Sequence, residues 1–153
     1  EYQDYCNSVF LIQTINKFYF SEIKQVKSDK KVYVIDHALL AAIDFKVSEN
    51  RGKLFENMVA LEFLKNGCEL MYFKERYECD FIVKRANIFE VVQVTLSLRE
   101  KDTRQRELRG LAEASRFLGL NIATIVTFDE EDTLEIDNLK VKVVPFYKYF
   151  GIM

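Results

Sequence analysis

Three segments of this chain place polar side chains where a buried strand or helix would otherwise be apolar. The stretch FEVVQVTL, residues 89–96, carries Glu90 and Gln93 among valines. Such a run reads as a buried strand, and each polar guest in it needs a partner. In ECDFIVKR, residues 78–85, Asp80 interrupts a second apolar run. In LFENMVALEFLKNG, residues 54–67, apolar residues point nearly all round a helical wheel, with Glu56 and Glu62 set between them. Either carboxylate requires a cation, a hydrogen-bond donor or a metal. Alternation along a strand decides which groups can meet. Glu78, Asp80, Ile82 and Lys84 share one face of their strand; Phe89, Val91, Gln93 and Thr95 share a face of theirs, and Glu90 points the other way. The set able to converge is Asp80, Gln93 and Thr95, with Glu56 from the helix covering the sheet.

Each of these residues also has a plainer reading. Asp80 can pair with Arg76 or Arg85, Glu56 can bond the backbone or an arginine, Gln93 can be a core amide with its bonds made, and Thr95 is ordinary in a strand. The single histidine, His37, follows Asp36 at an expected helix start and reads as a structural or surface residue. Cys6, Cys68 and Cys79 are odd in number and lack a C-x-x-C spacing, which favours free thiols in a reducing compartment over disulfides or a zinc site.

The elements that must position the set follow from period and punctuation. Residues 8–15 and 31–36 read as strands with a polar stretch between them, and Asp36 as the cap of a short helix, HALLAAID. A helix spans about 50–66 and stops at Asn66-Gly67. Strands over 68–74, 78–85 and 88–96 have short links, so they are expected to be antiparallel neighbours. A helix over 103–118 is expected to be capped by Asp102, with Leu108, Leu111, Ala112, Ser115 and Leu118 as its core stripe. The buried strand at 121–128, reached through that helix, implies a parallel crossover. A hairpin over 133–145 turns at Asp137-Asn138, and FYKYF packs last. The class is α/β, a mixed sheet with helices on its faces.

The chain has 153 residues, about half of them apolar, and a net charge of −2, which is not the balance of a dedicated nucleic-acid binder. Basic residues cluster at 24–31 and 98–109, as solvated faces or as a local phosphate-facing patch. No apolar run reaches the roughly 18 residues of a membrane span, and no signal peptide is visible, so a cytoplasmic protein with no membrane partner is expected. The chain opens on Glu1, not Met, and is expected to be a piece of something longer.

The αβββαβ order, with LFENMVALEFLKNG, ECDFIVKR and FEVVQVTLSL…TRQRELRGLAEAS, resembles the nuclease-like domain at the C-terminus of archaeal-type AAA+ ATPases, itself similar to the PD-(D/E)XK superfamily with its restriction endonuclease-like fold. KVYVIDHALLAAI resembles the lead-in to that domain. The resemblance runs from about residue 8 to 150 and implies lead-in strands and a short helix over 1–49 and a PD-(D/E)XK-like domain over 50–153, as one compact unit. It implies that Glu56 matches the superfamily's helix acid and Asp80 its second-strand aspartate. Gln93 and Thr95 stand where that pattern has a third-strand acid and lysine. It also implies Mg²⁺ at Glu56, Asp80 and Gln93, and phosphodiester hydrolysis. The two departures work against both: one negative charge fewer weakens a hard-cation site, and losing the lysine typically costs a hundredfold or more in rate.

The expectation is therefore a catalytically degenerate module that binds DNA, through Arg104, Arg106, Arg109 and Arg116, or binds the ATPase portion of its parent chain. The rivals are an active Mg²⁺-dependent DNA endonuclease and a structural protein-interaction domain. No G-x-x-x-x-G-K-[ST] occurs, so ATP binding would belong to the rest of the parent. Lys84 shares the face of Asp80 but lies roughly 13 Å along the strand; Lys74, Arg76 and Arg104 are the cations that could enter instead.

Overall fold

A computed structural model describes residues 2–36, 38 and 51–152. The elements are α1 (Tyr2–Ser8), β1 (Ile12–Lys17), α2 (Glu22–Lys27), β2 (Lys30–Val34), α3 (Arg51–Lys65), β3 (Glu69–Lys74), β4 (Glu78–Arg85), β5 (Ile88–Val94), α4 (Lys101–Leu118), β6 (Ile122–Thr127), β7 (Asp132–Ile136), β8 (Leu139–Pro145) and α5 (Phe146–Phe150). Among the described residues eight strands form one mixed sheet in the order β2-β1-β3-β4-β5-β6-β8-β7. The short links at 75–77 and 86–87 make β3, β4 and β5 antiparallel neighbours. The crossover through α4 makes β6 parallel to β5. Asp137 and Asn138 both adopt positive φ, 47° and 65°, which matches the twist of the β7–β8 hairpin.

Each face of the sheet buries its own core. On one side α3 sets Phe55, Val59, Ala60 and Phe63 against Phe81, Val83, Val92 and Val94, and α5 closes the end with Phe146, Tyr149 and Phe150. On the other, α4 sets Leu111 and Ala114 against Ile82, Val91, Ile125 and Val143. Gly110 lets α4 approach closely: a Cβ there would stand 2.0 Å from the carbonyl oxygen of Glu78. No helix among the described residues is long and apolar enough to cross a membrane.

Several local expectations change. Residues 8–11 do not begin a strand; Ser8 ends α1, Phe10 turns the chain at φ 55°, and β1 starts at Ile12. The polar stretch after β1 contains α2. Asp102 is not the cap of α4, which starts earlier with Glu100 in the cap position; Asp102 sits in the first turn, where a negative charge suits the helix dipole. The Asp36 carboxylate accepts from the Ala38 N–H at 2.8 Å, as a cap would, but His37 and the rest of HALLAAID lie outside the described residues. The lead-in strands belong to the same sheet, since β1 runs parallel to β3, pairing Asn16 with Met71 and Lys17 with Tyr72.

Candidate functional site

Strict alternation fails in β4. Its pairing with β3 changes register between Met71–Ile82 and Phe73–Cys79, so β4 carries one extra residue there. Cys79 and Ile82 consequently face α4 while Phe81 and Val83 face α3. Asp80 lies within this irregularity, at the end of β4 beyond its last ladder pair with β5, Phe81–Val92. There side chains take over from the ladder. Gln93 accepts the Asp80 N–H at 3.1 Å, and the Asp80 carboxylate accepts the Val94 N–H at 3.1 Å. The Gln93 amide nitrogen donates to Asp80 at 2.8 Å and to Glu107 of α4 at 2.5 Å. This fixes the orientation of the amide: its oxygen meets the N–H, and its NH₂ meets two carboxylates.

The other side of Asp80 faces a cation that arrives from the lead-in. The Lys31 ammonium, from β2, lies 3.3 Å from Asp80 Oδ1, 3.2 Å from Glu56 Oε1 and 2.8 Å from Glu78 Oε1. Two residues along the same face of β2, Tyr33 donates its hydroxyl to Glu56 at 2.7 Å. Asn57 fixes β2 against α3: its oxygen accepts the Val34 N–H at 2.9 Å, and its NH₂ donates to the Val34 carbonyl at 2.8 Å. An edge strand is thereby paired by a side chain on a helix, and Lys31 and Tyr33 are aimed at Glu56.

Burial sets the electrostatics. Removal from water, then the Glu56 charge, push the Asp80 carboxyl up to about 7, while Lys31 and the Val94 N–H oppose the shift. Burial would lower Lys31, but Asp80, Glu56 and Glu78 together raise it above the ordinary lysine value, so it stays charged. Burial works to raise Glu78, and Lys31 and Lys74 outweigh it and hold its carboxyl below the usual range. Burial and the Glu56 charge raise the Tyr33 phenol, which keeps it a donor.

The structure thus brings Glu56, Asp80 and Gln93 together in a cleft of about 700 Å³ whose wall also includes Thr95, Lys53, Arg76 and Arg106. Thr95 stands in the wall without joining the network, its hydroxyl donating to the Ser97 carbonyl at 3.2 Å. The arginine series divides. Arg106 faces the cleft and pairs with Glu107 at 2.6 Å. Arg109 lies over the Tyr77 ring and Arg116 pairs with Asp137 at 3.8 Å, both beside a separate groove. Arg104 is exposed on α4. Lys84 pairs with Glu69, away from the site, and Lys74 reaches only the rim, at Glu78. Glu90 takes the opposite strand face from Gln93, the one covered by α3 and α5, and is bonded there to Thr124, Tyr149 and Arg85.

Lys31, Tyr33, Glu78 and Glu107 are the members that reading the sequence missed. Glu107 had a signal, because it stands four and seven residues before Leu111 and Ala114 on the buried stripe of α4. Lys31 had none beyond its place in a basic run.

In this arrangement the residues do not fit a divalent ion. The Asp80 oxygens are taken by Lys31 on one side and by Gln93 and Val94 on the other, and Gln93 presents its NH₂, not its oxygen, to the carboxylates. Among the described residues no group of three acidic, histidine or cysteine side chains has metal-binding geometry.

No protein-family profile matches the sequence. The chain is 30% identical over 159 residues to an uncharacterised protein of Methanocaldococcus jannaschii, a match covering 97% of this chain and 35% of that protein. The chain therefore spans about a third of the length of this curated relative. Among solved structures it is similar to a chain in a half-complex of Thermococcus gammatolerans McrB AAA+ hexamers with bound McrC, at 20% identity and a TM-score of 0.45, over 67% of this chain and 30% of that one.

Proposed function

We propose that this chain is a nuclease-like α/β domain that does not hydrolyse phosphodiesters and serves as a nucleic-acid-binding module of a longer, ATPase-linked protein. The observation that carries the first part is the internal commitment of the site. The Lys31 ammonium meets three carboxylates, and the Gln93 carbonyl meets a backbone N–H, so neither is turned toward a substrate. Hydrolysis needs a polarised water and a cation for the charge building on phosphate; here the cations answer protein carboxylates instead. The binding role is supported by the open cleft beside the network, with Lys53, Arg76 and Arg106 in its wall. The ATPase link rests on the order and wording of the sequence segments alone.

The test has two arms. Plasmid incubated with the protein and Mg²⁺ or Mn²⁺ is expected to stay intact; cleavage that disappears in Asp80→Ala would overturn the non-hydrolytic reading. DNA binding at low salt is expected to weaken in Arg106→Ala, with a salt slope reduced by about one, and to change little in Arg116→Ala, whose side chain faces the other groove. A second reading, a protein-interaction domain, draws on the exposed Phe20, Ile23 and Val26 around α2. Undetectable DNA binding at low salt would favour it.

A further inference from the structure

We propose that Lys31 is the resident cation of the Glu56–Glu78–Asp80 cluster, taking the place of a divalent ion and keeping Mg²⁺ and Mn²⁺ out until its ammonium is removed. The proposal rests on the non-hydrolytic reading above and supplies a reason for it. An ammonium has three N–H donors, and three carboxylates surround this one, at 2.8, 3.2 and 3.3 Å. Two donors are hydrogen-bonded, to Glu56 and Asp80, and Glu78 faces the ammonium as an ion pair at 2.8 Å, so Lys31 serves as a counterion and not as a substitute for the third-strand lysine. The spacing agrees: these oxygens stand at ammonium distances from a common centre, longer than the roughly 2.0–2.6 Å that Mg²⁺ or Ca²⁺ takes.

The ammonium is also delivered by the fold. It lies over the Tyr72 ring, with Nζ 5.6 Å from the ring centre. Its strand is fixed by the Asn57–Val34 and Tyr33–Glu56 bonds. A tethered cation competes at an effective concentration in the millimolar range or above, whereas Mg²⁺ must shed tightly held water to enter. Without the ammonium, Glu56 and Asp80 would have no cation among the described residues and Glu78 only Lys74, at 3.0 Å, and that state is the one that favours the exchange.

The experiment is a Mn²⁺ titration of the whole chain, followed by the electron paramagnetic resonance of free Mn²⁺, for wild type, Lys31→Met and Lys31→Arg. Lys31→Met is expected to hold one Mn²⁺ on the order of a hundredfold tighter than wild type, and its melting temperature is expected to rise with Mn²⁺. Wild type and Lys31→Arg are expected to do neither. Wild type binding Mn²⁺ as tightly as Lys31→Met overturns the proposal, as does a folded Lys31→Met that gains no affinity. If Lys31→Met does not fold, ¹⁵Nζ spectra of wild type decide: a Lys31 signal left sharp by millimolar Mn²⁺ supports the proposal, and selective broadening overturns it. Wild type that binds Mn²⁺ without cutting DNA defeats this inference alone, whereas cleavage defeats the functional reading beneath it.

Discussion

Gly110 allows a prediction of sign as well as size. It lies inside α4, where glycine is normally unfavourable, and exchange for alanine in a helix interior ordinarily stabilises by about 0.5–1 kcal/mol. Here an added Cβ would stand 2.0 Å from the Glu78 carbonyl oxygen and 2.9 Å from its carbon. Reaching a tolerable 3.0 Å means a retreat of 3.0 − 2.0 = 1.0 Å. The obstacle is backbone at the start of β4, so no side chain can swing aside, and overpacking of this kind costs about 1–3 kcal/mol or more. With the helix gain set against this cost, Gly110→Ala is expected to destabilise by up to about 2.5 kcal/mol net, a fall of up to roughly 10 °C in melting temperature for a domain of this size. The retreat would also draw Glu107, one turn earlier, away from Gln93, leaving the amide without one of its acceptors. Gly52, near the start of α3, is the control, because among the described residues nothing lies within 4 Å of its Cβ position; Gly52→Ala is expected to be neutral or to stabilise by up to about 1 kcal/mol. Urea unfolding monitored by circular dichroism measures both. If Gly110→Ala proves as stable as wild type, or if both variants shift the midpoint the same way, the close approach of α4 to β4 is not what glycine is there to permit.

Two further predictions concern the site. The Asp80 carboxyl is raised from 3.8 to about 7, so the folded state holds its proton after the unfolded state has lost it. Its contribution to stability is full below pH 4 and declines as pH rises to 7, by at most about 4 kcal/mol if it titrated alone. The stability of wild type relative to Asp80→Asn is then expected to fall across that window; a difference that stays constant or grows with pH would refute the buried-proton account. Tyr33→Phe removes the hydroxyl bonded to Glu56 while keeping the ring against Phe81, and is expected to destabilise by about 1–3 kcal/mol. Pairing it with Glu56→Gln in a double-mutant cycle tests the bond itself, and additive losses would mean that it contributes nothing.

What the sequence determined by itself is what short-range physics encodes. Helix and strand periods, the left-handed Gly67 and Gly119 after α3 and α4, and the Asp137-Asn138 turn depend on residues a few positions apart, so the order from α3 to β8 was readable. The sequence placed Glu56, Asp80 and Gln93 on one face of the sheet, but α3 covers the face of Val92 and Val94 while Gln93 shares the α4 face with Val91 and bonds Glu107, so the three meet only where the β4–β5 ladder ends. The tertiary structure alone decided what those groups do. The extra residue in β4 exists only relative to the register of β3, and it turns Asp80 into the gap between strands. The orientation of the Gln93 amide follows from which N–H and which carboxylates surround it, one of them on α4. The cation in the cluster comes from Lys31, 49 positions before Asp80, and reaches it only because β2 joins the sheet edge and Asn57 holds it to α3. A local pattern determines which face a side chain takes; only long-range packing determines which charge stands opposite it.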